Sequence, residues 1–114
     1  MIKRGDILLV DLDPIKGSEQ GKIRPCLVVQ NDHLNQYNST TIILPITSTI
    51  RDKKYPNIVI VNPEESGLKN QSTILCHQIR AVSFEHRTIK PIGKLSENKL
   101  REVNQSLIST LGLM

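Results

Sequence analysis

Between Gly17 and Gly21 the chain sets a hydroxyl, a carboxylate and an amide in succession, Ser18-Glu19-Gln20. Five residues beyond Glu19 comes Arg24. The two glycines make this a mobile loop, and Pro25 biases Arg24 towards extended backbone, at the head of a strand. Spacing alone admits two uses for this acid and base. They can meet as a surface salt bridge, which contributes little to stability. They can also serve a phosphodiester, the carboxylate taking a proton while the permanently charged guanidinium holds the phosphate and its developing charge.

Composition narrows the partners such a site could have. Fifteen Lys and Arg against eleven Asp and Glu leave a net charge of +4 and a pI near 9.3, a weak pointer to a polyanion. Only Tyr37, Tyr55 and Phe84 can stack on a base, too few for an aromatic RNA-binding platform. Eight Asn and six Gln supply hydrogen bonds instead. Arg51, Lys53 and Lys54 fall in one polar loop, Ser48 to Pro56, either as a solvated face or as a track for a nucleic-acid backbone. His33, His77, His86, Cys26 and Cys76 match no metal-ligand spacing, so neither a metal nor a cofactor is expected. The two cysteines sit in apolar stretches and read as reduced, partly buried thiols. His77 is expected to face away from Gln78 on a strand and to be structural.

The elements that must position these groups are mostly strands. Ile and Val number twenty-two against one alanine, Ala81. Strands are expected at Asp6 to Asp11, Arg24 to Gln30, Thr40 to Thr47 and Ile58 to Val61. A long fifth runs from Ser72 to Val82, able to bend around a barrel, and a short one from Thr88 to about Ile92. The second is apolar on both faces and should be covered on both. Asn31 to Gln36 reads as a turn or a single helical turn capped by Asn31 or Asp32. Asn62 to Gly67 reads as a turn. From Ser96 the apolar period lengthens: Leu100, Val103, Leu107, Ile108 and Leu111 mark an amphipathic helix that Gly112 ends. With 114 residues, one domain over residues 1–114 is the expectation. No apolar run approaches the ~18–20 residues of a membrane helix, and no secretory signal is visible, so the chain is read as cytoplasmic.

Several short motifs, in order and at fixed spacing, resemble one family. They are Gly5-Asp6, Asp11-Leu12-Asp13-Pro14, Gly17-Ser18-Glu19-Gln20-Gly21, Arg24-Pro25 and Val28-Val29-Gln30-Asn31-Asp32, then Pro45-Ile46-Thr47 and Gln78-Ile79-Arg80. Together they are similar to the MazF/PemK toxin endoribonucleases, and the resemblance spans nearly the whole chain. It implies a mainly β fold, a small SH3-like β-barrel with a C-terminal α-helix, assembled as a homodimer. It implies metal-independent cleavage of single-stranded RNA and inhibition by a partner antitoxin. Residue by residue, Glu19 and Arg24 match the family's catalytic pair, and Thr47 the hydroxyl that helps hold the scissile phosphate. Ser18 and Gln20 would line the same loop, and Gln78 and Arg80 match positions near the groove, sharing one strand face.

That chemistry suits these side chains. RNA carries its own nucleophile, the 2′-hydroxyl beside the scissile phosphorus. Attack leaves a 2′,3′-cyclic phosphate and a 5′-hydroxyl end, with no step that requires a metal. Two other readings share the barrel. The related CcdB group poisons DNA gyrase through a Trp-Gly-Ile C-terminus, whereas this chain has no Trp and ends Leu111-Gly112-Leu113-Met114. A relative that binds RNA without cutting it would not need Glu19, Arg24 and Thr47 intact.

Overall fold

The computed structural model describes residues 1–50 and 55–113. In chain order the elements are β1 (Asp6–Asp11), β2 (Ile23–Val28), α1 (Asp32–Tyr37), β3 (Thr40–Thr47), β4 (Ile58–Val61) and α2 (Pro63–Ser66). They continue with β5 (Ser72–Leu75), β6 (Arg80–Ser83), α3 (Phe84–Arg87), β7 (Thr88–Lys94) and α4 (Glu97–Leu111). The strands pair antiparallel in the order β4-β5-β3-β2-β1-β7, with β6 attached to β3. The mainly β architecture with a C-terminal helix is as expected. The barrel is not closed, because among the described residues no ladder joins β4 to β7.

β3 is the hub. Its residues 43–45 pair with β2, residues 40–43 with β6, and residues 46–47 with β5. The single long strand expected from Ser72 to Val82 is therefore two. Ile46 faces Ile74 in β5, and that register, continued, would set Ile43 opposite His77; Ile43 faces Arg80 instead. Three residues are extruded from the edge of β3 and coil as a 3-10 turn, Cys76–Gln78. A period-two reading cannot anticipate such a slip.

Two cores form on the two faces of this sheet. Ile7, Leu27, Leu44, Ile46, Ile74 and Val103 belong to one, while Leu8, Val10, Cys26, Val28, Ile43 and Val82 make the other. β2 feeds both, with Leu27 on one side and Cys26 and Val28 on the other, which is why its sequence is apolar throughout. α4 covers the first core. The Ser96 hydroxyl accepts from the Lys99 N–H at 3.3 Å, and Gly112 in the left-handed region (φ 67°) closes the helix. Val103 is fully buried, whereas Leu111 is 49% exposed, so the buried stripe is narrower than the apolar periodicity. No helix among the described residues is long and apolar enough to cross a membrane.

Two shorter elements refine the sequence reading. Asn31 caps α1 by accepting from the His33 N–H at 2.7 Å. The expected turn at Asn62 to Gly67 is a helical turn, α2, closed by a capping box between Asn62 and Glu65. α3, capped by Ser83, was not anticipated.

β7 passes very close to the end of α2. A Cβ on Gly93 would lie 2.4 Å from the Ser66 carbonyl oxygen, so only glycine allows this approach. Gly93→Ala should therefore cost about 1–3 kcal/mol of stability, read as a lower urea midpoint at unchanged slope. An unaltered midpoint would mean that the two segments can separate freely.

Candidate active site

The site is organised by where the β2–β3 ladder stops. Its last pair is Cys26 with Pro45, and one residue earlier on β2 stands Pro25. Every second residue of β2 faces β3, as the Val29 N–H donating to the Ile42 carbonyl shows, and by that alternation the next donor would be Pro25, which has no N–H, so the two strands part there. Two steps further along the same register, Arg24 and Thr47 stand opposite each other across the gap. They line a cleft of about 420 Å³, together with Ser48, Lys69 and Asn70.

The donors in this cleft are largely unclaimed. The Arg24 Nε–H donates to the Gly21 carbonyl at 2.9 Å, which fixes the guanidinium and leaves its terminal nitrogens without a described partner. Thr47 is buried, and its hydroxyl oxygen accepts from the Thr49 N–H at 3.2 Å, so its own proton is free to donate. The pair thus offers a fixed positive charge and a hydroxyl donor, a set suited to a phosphate oxygen.

Glu19 lies in the adjoining cleft, about 650 Å³, with Ser18, Gln20, His77, Gln78 and Arg80. The two clefts meet along β3, where Pro45 lines one and Ile46 and Thr47 the other. Glu19 is exposed, and its Oε1 accepts from the Lys16 N–H at 2.9 Å. No ion pair joins it to Arg24, so the surface salt bridge that spacing allowed is not formed.

The loop carrying Glu19 is held at several points. The Lys22 N–H donates to Asp13 Oδ1 at 2.7 Å, and the Leu12 N–H to the Lys22 carbonyl at 2.9 Å. At Gly21 a Cβ would sit 2.5 Å from the Ile15 side chain and 2.7 Å from the Asp13 carboxylate, so any larger residue would have to displace those two side chains. Gln78 clasps the segment around Glu19: its Oε1 accepts from the Gln20 N–H at 2.7 Å, and its Nε2 donates to the Ser18 carbonyl at 3.4 Å. The extruded 3-10 turn is what brings Gln78 to that loop.

Other residues singled out in the sequence are distributed as follows. Arg80 reaches the Leu12 carbonyl through Nη1 at 3.2 Å and lines the Glu19 cleft with Gln78, although the two do not share a strand face. His77 departs from expectation: it is exposed and faces the same cleft as Gln78, because a 3-10 turn does not alternate sides as a strand does. Arg51, Lys53 and Lys54 lie outside the described residues. Lys69 and Asn70 were missed, since nothing in their local spacing relates them to Arg24. Among the described residues no group of three His, Cys, Asp and Glu side chains is arranged to hold a metal ion.

Both cysteines are free and buried. Burial pushes the Cys26 thiol up to about 12, against the opposing pull of the Arg80 and Arg24 guanidiniums. Cys26 therefore stays a neutral thiol beneath the site, and both cations are near enough to act on it.

This fold, mainly β with one closing helix, is that of a small MazF-like toxin. MazF of Deinococcus radiodurans superposes with a TM-score of 0.84 at 25% identity, over 97% of this chain and 96% of that one. A mycobacterial endoribonuclease solved with its cognate antitoxin shares the fold at a TM-score of 0.84 and 20% identity, over 100% and 98% of the two chains. Endoribonuclease MazF of Staphylococcus saprophyticus is 41% identical over 113 residues, covering 99% of this chain and 93% of that protein. The family profile described as PemK-like, MazF-like toxin of type II toxin-antitoxin system matches residues 3–111, and the chain belongs to that family.

If Gln78 holds the Glu19 loop, Gln78→Leu should free the Gln20 amide. Its hydrogen exchange should accelerate by roughly fivefold or more, the equivalent of one lost hydrogen bond of ~1 kcal/mol. Core amides in β1 and β3 should exchange as before. Unchanged protection at Gln20 would show that the loop holds itself.

Proposed function

We propose that this chain is the toxin of a type II toxin–antitoxin pair and acts as an endoribonuclease on single-stranded RNA. One observation carries the reading: Arg24 and Thr47 turn unclaimed donors into one cleft, directly beside the loop that bears Glu19. The naming of a 41% identical relative as an endoribonuclease supports it.

In this reading the scissile phosphate lies against Arg24 and Thr47, and the adjacent ribose reaches towards Glu19. Glu19 takes the proton of the 2′-hydroxyl, and the resulting oxyanion attacks phosphorus. Charge that builds on the non-bridging oxygens is met by the Arg24 guanidinium and the Thr47 hydroxyl, both fixed before substrate arrives. The P–O5′ bond breaks, and the leaving oxygen draws a proton from solvent. Arginine holds its protons too tightly to be the natural donor, so Arg24 acts chiefly through charge. The products are a 2′,3′-cyclic phosphate and a 5′-hydroxyl, and each step uses groups of the chain, the substrate or water.

Ser18, Gln20, Gln78 and Arg80 line the face on which neighbouring nucleotides would rest. Arg51, Lys53 and Lys54, which follow Thr47 in sequence, are assigned to the RNA backbone. The active species is a homodimer in the cytoplasm. Its antitoxin presents an acidic or amphipathic segment, because inhibition must cover the charges that RNA uses. A MazE–MazF complex from Deinococcus radiodurans, 26% identical over 99% of this chain and 97% of that one at a TM-score of 0.74, is a precedent for such pairing.

The test is cleavage of a long single-stranded RNA in EDTA. Wild-type protein should cut. Glu19→Gln should lose roughly 10²–10⁴-fold as a missing base, and Arg24→Ala roughly 10²–10³-fold as a missing charge stabiliser. Thr47→Val should fall between wild type and Arg24→Ala. Cutting abolished by EDTA, or an Arg24→Ala variant as active as wild type, would overturn the mechanism.

A further inference from the structure

The cleft that holds Arg24 and Thr47 has a second wall that the mechanism above does not use. It is formed by the segment after α2, where Lys69 and Asn70 line the same cleft as Arg24 and Thr47. Lys69 is exposed and its ammonium meets no described hydrogen-bond or ion-pair partner; the side-chain amide of Asn70 is likewise unengaged. Among the described residues no carboxylate lines the cleft, and the charged ones that do are Arg24 and Lys69.

This wall is built rather than loose. Gly67 turns the chain out of α2 with φ 78°, and its N–H donates to the Pro63 carbonyl. The Leu68 N–H donates to the Ser66 hydroxyl at 3.1 Å, and the Ser72 hydroxyl donates to the Asn70 carbonyl at 3.0 Å. Gln71 reaches back to the Asn62 side chain at 2.9 Å, and the close passage of Gly93 backs the segment from β7. The backbone that carries Lys69 and Asn70 is thus ordered before any ligand arrives, so little of its freedom is lost on binding.

We propose that Lys69 and Asn70 form a second phosphate subsite, which holds the phosphodiester next to the one that Arg24 and Thr47 hold. The proposal rests on the endoribonuclease reading and extends it by one linkage. A nucleic-acid strand presents its phosphates in series, and two cations lining one cleft can take successive members of that series. Lys69 acts as a point charge and Asn70 as a neutral donor, so the subsite reads backbone and not base. Its service is to align the strand for in-line attack at the neighbouring phosphorus.

The experiment uses 2′-O-methyl RNA of the cleaved sequence, which lacks the attacking hydroxyl and so stays intact. Each oligonucleotide carries one neutral methylphosphonate, stepped along the strand, and binding is measured for wild type, Lys69→Met and Lys69→Arg. Wild type should lose roughly tenfold in affinity at the cut position and again at one adjacent position. Lys69→Met should bind the fully charged strand about tenfold more weakly and show no further loss at that adjacent position. Lys69→Arg should behave as wild type, and Lys69→Met should have a shallower salt dependence. Equal losses for wild type and Lys69→Met at every position would overturn the subsite. Cleavage of unmodified RNA by wild type separates the outcomes: if it cuts while the subsite test fails, only the subsite falls. If it neither cuts nor binds, the endoribonuclease reading falls too.

Discussion

The functional face of this molecule depends on a ladder that stops. β2 and β3 are paired as far as Cys26 and Pro45, and there Pro25 lacks the N–H that would carry the ladder further. Had the ladder continued, Arg24 and Thr47 would be cross-strand neighbours on a closed sheet. Because it ends, they face each other across a cleft, each anchored on the strand behind it. Arg24 remains paired to β1 opposite Val10, and Thr47 to β5 opposite Thr73. Rigid elements thus hold the two donors, while the gap between them stays open for a ligand.

A second irregularity serves the same end. The shift between the β3–β5 and β3–β6 registers extrudes Cys76–Gln78, and this carries Gln78 to the loop that bears Glu19. The acid is thereby tethered to the turn between β5 and β6, both of which pair with the hub strand that bears Thr47, though it sits in a separate cleft. Keeping Glu19 from a direct ion pair leaves both charges available to substrate. Beneath them Cys26 is buried and neutral, adding apolar packing without a competing nucleophile.

Much of this could be read from residue types and order, and the unread part has a common cause. β1, β3, β4 and α4 follow from β-branched runs, alternation and the lengthened period after Ser96. The candidate residues Glu19, Arg24 and Thr47 follow from motif order. What sequence did not disclose depends on three-dimensional register. The break in the Ser72 to Val82 run and the cleft-facing His77 arise from how many residues oppose each other across β3, and the open sheet from the absence of a ladder between β4 and β7 among the described residues. Lys69 and Asn70 stayed hidden for a related reason: Lys69 lies 45 positions from Arg24 along the chain, and only packing around Gly93 and Ser66 brings them to one cleft.

In the proposed mechanism the substrate's own hydroxyl is the nucleophile, with Glu19 on one side and Arg24 and Thr47 on the other. The most direct measurement compares an RNA with a copy lacking one oxygen, the 2′-hydroxyl of the nucleotide at the cut. The 2′-deoxy strand should bind with nearly the same affinity and not be cut there, while the all-ribose strand should end in a 2′,3′-cyclic phosphate. Cleavage of the 2′-deoxy strand at the same bond would contradict it, because water would then be the nucleophile.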